Sequence, residues 1–223
     1  MYRDWIIKVL YPNLDCLCRY NELDTCKLKD YKMTFEEWEL LAKQGIAEAQ
    51  YNLGLMFSRG EGVPSDDKEA VKWYQLAAEQ GLAQSQTNLG LMFGKGQWVE
   101  QDYKEAVKWY RLAAEQGLAQ AQHNLGVMYG RGQGVVKDYQ EAIKWFKLSA
   151  EQRITGAQSN LGLMYEKGQG VEQDYVEAHK WFNIAGVNGN EIGRRNADIV
   201  EKKMTPGQIA VAVGLTRKWL EKL

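Results

Sequence analysis

Apolar and polar positions follow a helical rhythm between residues 47 and 190, and the rhythm is itself periodic. In AEAQYNLGLMFSRG, Ala49, Leu53, Met56 and Phe57 recur at three- and four-residue intervals, which places them on one helical face. In DDKEAVKWYQLAAEQG, Val71, Tyr74, Ala77 and Ala78 do the same. Each unit is therefore predicted to hold two amphipathic helices. The pair returns every 36 residues: NLGLMFSRGEGV starts at Asn52, NLGLMFGKGQWV at Asn88, NLGVMYGRGQGV at Asn124 and NLGLMYEKGQGV at Asn160. A hairpin of about thirty residues cannot bury its apolar faces alone, so like units must stack and the core must run along the array.

Helix punctuation falls where two helices per unit require it. Gly60, Gly96, Gly132 and Gly168 follow the first helix, where glycine takes the left-handed conformation that closes it. Asp66, Asp102, Asp138 and Asp174 open the second, each with Glu three residues later, which predicts a reciprocal capping box. Gly81, Gly117 and Gly189 end the second helix, but Arg153 takes that place in the third unit, so that turn is either different or strained. Gly54, Gly90, Gly126 and Gly162 sit inside the first helix at a cost of about 1 kcal/mol each relative to Ala. That cost is understandable where two helices cross too closely for a side chain. Trp73, Trp109, Trp145 and Trp181 supply a column of large apolar area to the core or the seam between units.

The ends depart from the pattern. Residues 34–46, TFEEWELLAKQGI, match the second helix of a preceding unit, with Trp38 where Tyr74 stands. Residues 1–33 carry no repeat; a short helix near residues 2–10 and irregular chain after it are expected. Beyond Asn190 the pattern decays through residues 191–223 into capping helices, the last with Thr205 as its cap and Pro206 in its first turn.

Composition narrows the function. Lys and Arg number 28 against 29 Asp and Glu, a net charge of −1, which argues against general binding to nucleic acid or membrane surfaces. The longest uncharged apolar run near either end, IAVAVGL at 209–215, is far too short to cross a bilayer. The start, MYRDWIIKVLYP, lacks the sections of a secretion signal, so a cytoplasmic location is expected, or a periplasmic one if a leader has been removed. Cys16, Cys18 and Cys26 are too few for a tetrahedral zinc site and are read as reduced thiols. No cofactor and no metal are expected.

Together these residues carry a resemblance. The stretch AQHNLGVMYGRGQGVVKDYQEAIKWF resembles the Sel-one-like repeat, a relative of the tetratricopeptide repeat, and four copies cover residues 47–190. The tail RNADIVEKKMTPGQIAVAVGLTRKWLEKL is similar to the C-terminal cap of bacterial members. The resemblance implies an all-α fold, a right-handed α–α superhelix of stacked antiparallel hairpins. It also implies an adaptor or scaffold that binds a protein or peptide, as a monomer or weak dimer. Some cysteine-rich members hydrolyse β-lactams, but the repeats here contain no cysteine.

If the first helix of each unit lines the concave face, as the resemblance implies, one stripe of it is the candidate surface. Asn52, Asn88, Asn124 and Asn160 form a constant column whose amides can hold an extended backbone or fix the stacking. Beside them Tyr51, Thr87, His123 and Ser159 vary and can select side chains. Arg59, Lys95, Arg131 and Lys167 form a basic column that suits the helix dipole and can also attract an acidic segment. Trp98 replaces the glycine of the other loops; either that loop is reshaped to tuck the ring in, or the ring is presented outward. Three functions compete: an adaptor gripping an extended segment, an immunity protein covering one bacterial toxin, and, with least support, a hydrolase. His123 and His179 are the only histidines, and neither has a nucleophile at catalytic spacing, so no catalytic residue is assigned.

Overall fold

A computed structural model describes residues 33–222, and within them the chain forms eleven helices and no strand. The helix expected near residues 2–10 and the three cysteines lie outside the described residues. The helices are α1 (Phe35–Lys43), α2 (Ala47–Arg59), α3 (Asp67–Glu79), α4 (Ala83–Lys95), α5 (Tyr103–Glu115) and α6 (Ala119–Arg131). They continue as α7 (Tyr139–Glu151), α8 (Thr155–Lys167), α9 (Tyr175–Val187), α10 (Glu191–Glu201) and α11 (Pro206–Leu220). Hairpins α2–α3, α4–α5, α6–α7 and α8–α9 are the four units, stacked into a right-handed α–α superhelix.

Each unit begins with the same caps. Gly60, Gly96, Gly132 and Gly168 are left-handed as expected, with φ of 68°, 63°, 67° and 64°. Asp66 accepts the N–H groups of Lys68 and Glu69 at 3.0 and 3.1 Å, and its three counterparts act alike. The other half of the predicted capping box does not form in the repeats. The Asp66 N–H instead donates to the Phe57 carbonyl at 3.1 Å, tying the loop to the preceding helix, and Glu69 turns outward to Lys72. Reciprocal boxes do form at the two ends of the array, between Thr34 and Glu37 and between Thr205 and Gln208.

The helical glycines mark the crossing within each hairpin. A Cβ at Gly54, Gly90, Gly126 or Gly162 would stand 2.9, 2.6, 2.7 or 2.5 Å from the ring of Tyr74, Tyr110, Phe146 or Phe182. Each ring belongs to the second helix of the same hairpin, so an aromatic side chain occupies the space that the glycine leaves. Between hairpins the tryptophans fill the seam: Trp73 packs in a cluster with Leu41, Ala49 and Leu53, and Trp109 with Ala70, Tyr74 and Leu89.

A polar ladder runs beside this apolar seam. Gln50, Gln86, Gln122 and Gln158 are buried, and each Nε2 donates to a carbonyl near the end of the preceding unit's second helix: Ala42, Ala78, Ala114 and Ala150, at 3.1 to 3.2 Å. Each Oε1 accepts from the amide that ends the next second helix, Gln80, Gln116, Gln152 or Asn188, at 2.7 to 3.1 Å. One glutamine therefore joins three helices and adds a second donor to a carbonyl that already accepts from the turn N–H three residues on.

Arg153 keeps the glycine turn and bears the strain, with φ of 66° where Gly81, Gly117 and Gly189 have 93°, 90° and 91°. At the far end, Trp219 of α11 meets Trp181 edge to face at 6.1 Å and closes the apolar seam. Arg153→Gly should raise stability by about 1 kcal/mol by removing left-handed strain, measured by urea unfolding. Gly126→Ala should lower it by about 1–3 kcal/mol by overpacking against Phe146, despite the better helix propensity. An unchanged midpoint for Gly126→Ala would mean that the crossing has spare room.

Candidate partner-binding face

Helices α2, α4, α6 and α8 present one face away from their own hairpins, and their 36-residue register lines its side chains up in columns. Arg59, Lys95, Arg131 and Lys167, in the last turn of each helix, are exposed. Arg59 lies 3.6 Å from Glu61, whereas Lys95, Arg131 and Lys167 form no ion pair among the described residues. The second helices behave differently. Lys72, Lys108, Lys144 and Lys180 pair with the glutamate three residues before at 2.7 to 3.2 Å and cover a tryptophan ring at 4.7 to 5.6 Å.

The asparagine column is half-buried. Asn52 Nδ2 donates to the Glu48 carbonyl at 2.8 Å, and Asn124 Oδ1 accepts from Gln120 at 3.1 Å. Asn88 stands beside the Tyr74 hydroxyl of the preceding unit. Asn160 Nδ2 donates to His123 Nε2 at 3.2 Å. An amide has two donors and an oxygen with two lone pairs, so each column member keeps capacity for a second partner.

The variable column turns toward neighbouring helices rather than solvent. Thr87 and Ser159 are buried, the first donating to the Ala83 carbonyl at 2.9 Å, the second without a hydrogen-bond partner. Tyr51 leans on Tyr74 and His123 on Phe146, with ring centroids 5.8 Å apart in both pairs. A Cβ at Gly156 would stand 3.0 Å from His123 Nε2, so that glycine makes room for the imidazole at the seam between the third and fourth units.

Between these columns, on the same helical stripe, Leu55, Leu91, Val127 and Leu163 stand at the repeat interval; Leu91 is exposed and the other three are half-buried against the core clusters. Together the columns frame shallow depressions at the seams. One of about 350 Å³ lies between the second and third units, lined by Leu91, Lys95, Tyr110, Asn124, Val127 and Arg131. Burial pushes the Tyr110 phenol up to about 12, so it is neutral there. Another of about 180 Å³ lies between the third and fourth, lined by Val127, Arg131, Phe146, Asn160, Leu163 and Lys167.

Trp98 stands apart on the loop edge. The loop is not reshaped around it: φ is 65°, close to the 77°, 71° and 74° of Gly62, Gly134 and Gly170, and the ring is 38% exposed. His179 is 2% exposed between Asn183 at 3.2 Å and Glu201 at 3.5 Å. Among the described residues no His, Cys, Asp and Glu group has the geometry of a metal site, and no helix is long and apolar enough to cross a membrane.

The four units coincide with matches to the Sel1 repeat at residues 47–82, 83–118, 119–153 and 155–190. The chain belongs to the Sel1 repeat family. The break between the third and fourth Sel1 matches falls beside Arg153, where the turn has lost its glycine. A crystal structure of a protective antigen of uropathogenic Escherichia coli strains, which displays an SLR fold, is 36% identical with a TM-score of 0.80. The alignment covers 99% of this chain and 46% of that one, so the chain spans less than half the length of that relative. A Sel1 repeat protein from Oxalobacter formigenes is 33% identical with a TM-score of 0.70, covering 84% of this chain and 74% of that one. No curated protein matches the chain. Sel1 repeat proteins mediate protein–protein interaction and are generally non-catalytic.

Burial holds the His123 imidazole below its ordinary pKa of 6.5. The unfolded chain therefore takes up this proton first. The contribution to stability is complete above about pH 6.5 and is lost as pH falls from there toward the folded-state value. Between pH 7.5 and 5.5 the wild-type melting temperature should drop by about 2 °C or more beyond the drop in His123→Asn. Equal drops would place the ring in solvent-like surroundings.

Proposed function

We propose that this Sel1 array is a non-catalytic adaptor that grips an extended segment of another protein along the face of α2, α4, α6 and α8. The observation that carries this reading is that the unpaired cations of the first helices line depressions floored by apolar and aromatic side chains. On the second helices Lys72, Lys108, Lys144 and Lys180 have intramolecular carboxylates, while exposed Lys68, Lys104 and Lys147 form no ion pair among the described residues. On the first helices, Lys95, Arg131 and Lys167 stand unpaired beside an apolar column and two depressions. Asn88, Asn124 and Asn160 lie within reach of a chain laid along that face, with amide capacity to spare. Exposed apolar and cationic side chains without internal partners are the ingredients of an interface core and its rim.

One observation favours a second reading, an inhibitor that covers a folded partner such as a toxin. Trp98 is held partly exposed at the loop edge in a conformation that costs an L-residue about 1–2 kcal/mol, and tryptophan is enriched at interface hot spots.

Site-specific photocrosslinking in cells that naturally produce the protein separates the two. A crosslinker at Leu91 or Leu163 should capture one defined partner. The same group at Leu112 or Leu148, exposed on the second helices, should not capture it. Capture from Trp98 but not from Leu91 or Leu163 would move the site to the loop edge. Capture from Leu112 or Leu148 alone would refute the proposed face.

A further inference from the structure

We infer that the segment bound on this face is acidic and presents an apolar side chain at every third residue, each with a carboxylate beside it. This inference rests on the face proposed above and deepens it. The depressions on either side of the third unit have one chemistry, whereas a larger one of about 690 Å³ beside the first unit is lined by Leu55 and Arg59 together with Glu36 and Glu61. Of the two that are alike, the first has Leu91, Tyr110 and Val127 between the cations of Lys95 and Arg131. The second has Val127, Phe146 and Leu163 between Arg131 and Lys167. Arg131 lies at the edge of both, so apolar floor and positive rim alternate along the array.

Where the positive rim is open, and where it is closed, sets the extent of the bound segment. At the first unit Arg59 faces Glu61, and beyond the fourth Lys203 is taken by Glu166 at 2.8 Å. In between, the position of Glu61 is held by the neutral Gln97, Gln133 and Gln169. The position of Glu48 is likewise held by Gln84, Gln120 and Gly156. On the first helices the uncompensated cations are therefore Lys95, Arg131 and Lys167. A partner with carboxylates supplies the missing charge there.

The spacing follows from the stacking. His123 of α6 touches Asn160 of α8, so the first helices of adjacent units are side-chain neighbours, and packed helices lie about 8–10 Å apart. A chain in the polyproline II conformation advances about 3.1 Å per residue with three residues per turn, so side chains three apart share a face and one seam corresponds to about three residues. The segment has the form apolar, acidic, any, repeated, with two apolar side chains seated and their two carboxylates along the rim formed by Lys95, Arg131 and Lys167.

Fluorescence anisotropy of the full chain with end-blocked synthetic peptides tests this. The probe contains two Leu-Glu-Ser triplets. Controls of the same composition place the leucines two or five residues apart, and a fourth peptide carries Lys in place of Glu. The three-residue spacing should bind at least fivefold more tightly than the other spacings and at least tenfold more tightly than the lysine peptide. Arg131→Glu, at an exposed position, should weaken binding of the probe at least tenfold with circular dichroism unchanged. Equal binding of the lysine peptide, indifference to spacing, no effect of Arg131→Glu, or no binding at millimolar peptide overturns the inference. A chain that crosslinks from Leu91 to its own second copy also overturns it, by assigning the face to self-association. These outcomes concern the chemistry of the segment, whereas crosslinks confined to the second helices would remove the face itself.

Discussion

A buried glutamine in each unit is the constraint on which the rest of the molecule depends. Gln122 donates to the Ala114 carbonyl at 3.2 Å and accepts from Gln152 at 2.9 Å, so one side chain spans the end of one hairpin, the start of the next and that hairpin's own end. Tryptophan and aliphatic contacts hold the units together, but such contacts are non-directional and tolerate sliding. A buried amide does not. Displaced by one turn, it would lose both partners, and a buried polar group left unsatisfied costs about 1–3 kcal/mol. The ladder thus turns general apolar attraction into one register, and its repetition makes the array regular.

The proposed function follows from what that register leaves uncovered. The glycine–aromatic crossings draw the two helices of each hairpin together, and the glutamines fix each hairpin against the next. With packing and polar needs met on those sides, the remaining side of each first helix is only partly engaged by its neighbours. Its columns come into line because the units are alike. The second helices settle their own charge through Glu-to-Lys pairs three residues apart, each lysine also covering tryptophan. Surface pairs of this kind contribute little to stability, but they hold each of those lysines over its tryptophan.

Much of this was legible in the residues because it is local. The 36-residue period, the left-handed glycines, the aspartate caps and the close crossing at the internal glycines each follow from short-range sterics or hydrogen bonding. Features that depend on a neighbouring unit were harder to read. Gln50 and its equivalents look like ordinary polar residues of an amphipathic helix, although their constancy in all four units was a usable signal. The expected capping box failed because the Asp66 N–H finds the Phe57 carbonyl, a partner nine residues back across a turn. His123 reads as a variable surface residue until the missing side chain at Gly156, in the next unit, shows where the imidazole lies. Leu55 and its equivalents share the helical stripe of the asparagines but carry no polar group to single them out.

A double-mutant cycle on the glutamine bridge is the most direct test. Urea unfolding of the wild type, Gln122→Met, Gln152→Met and the double variant gives the coupling between the two side chains. The account predicts that each single change destabilises the array and that the pair is coupled by about 1 kcal/mol or more, the double variant losing less than the sum. Additivity within about 0.3 kcal/mol would contradict it, because the amides would then be bystanders to a stack held by apolar contacts alone.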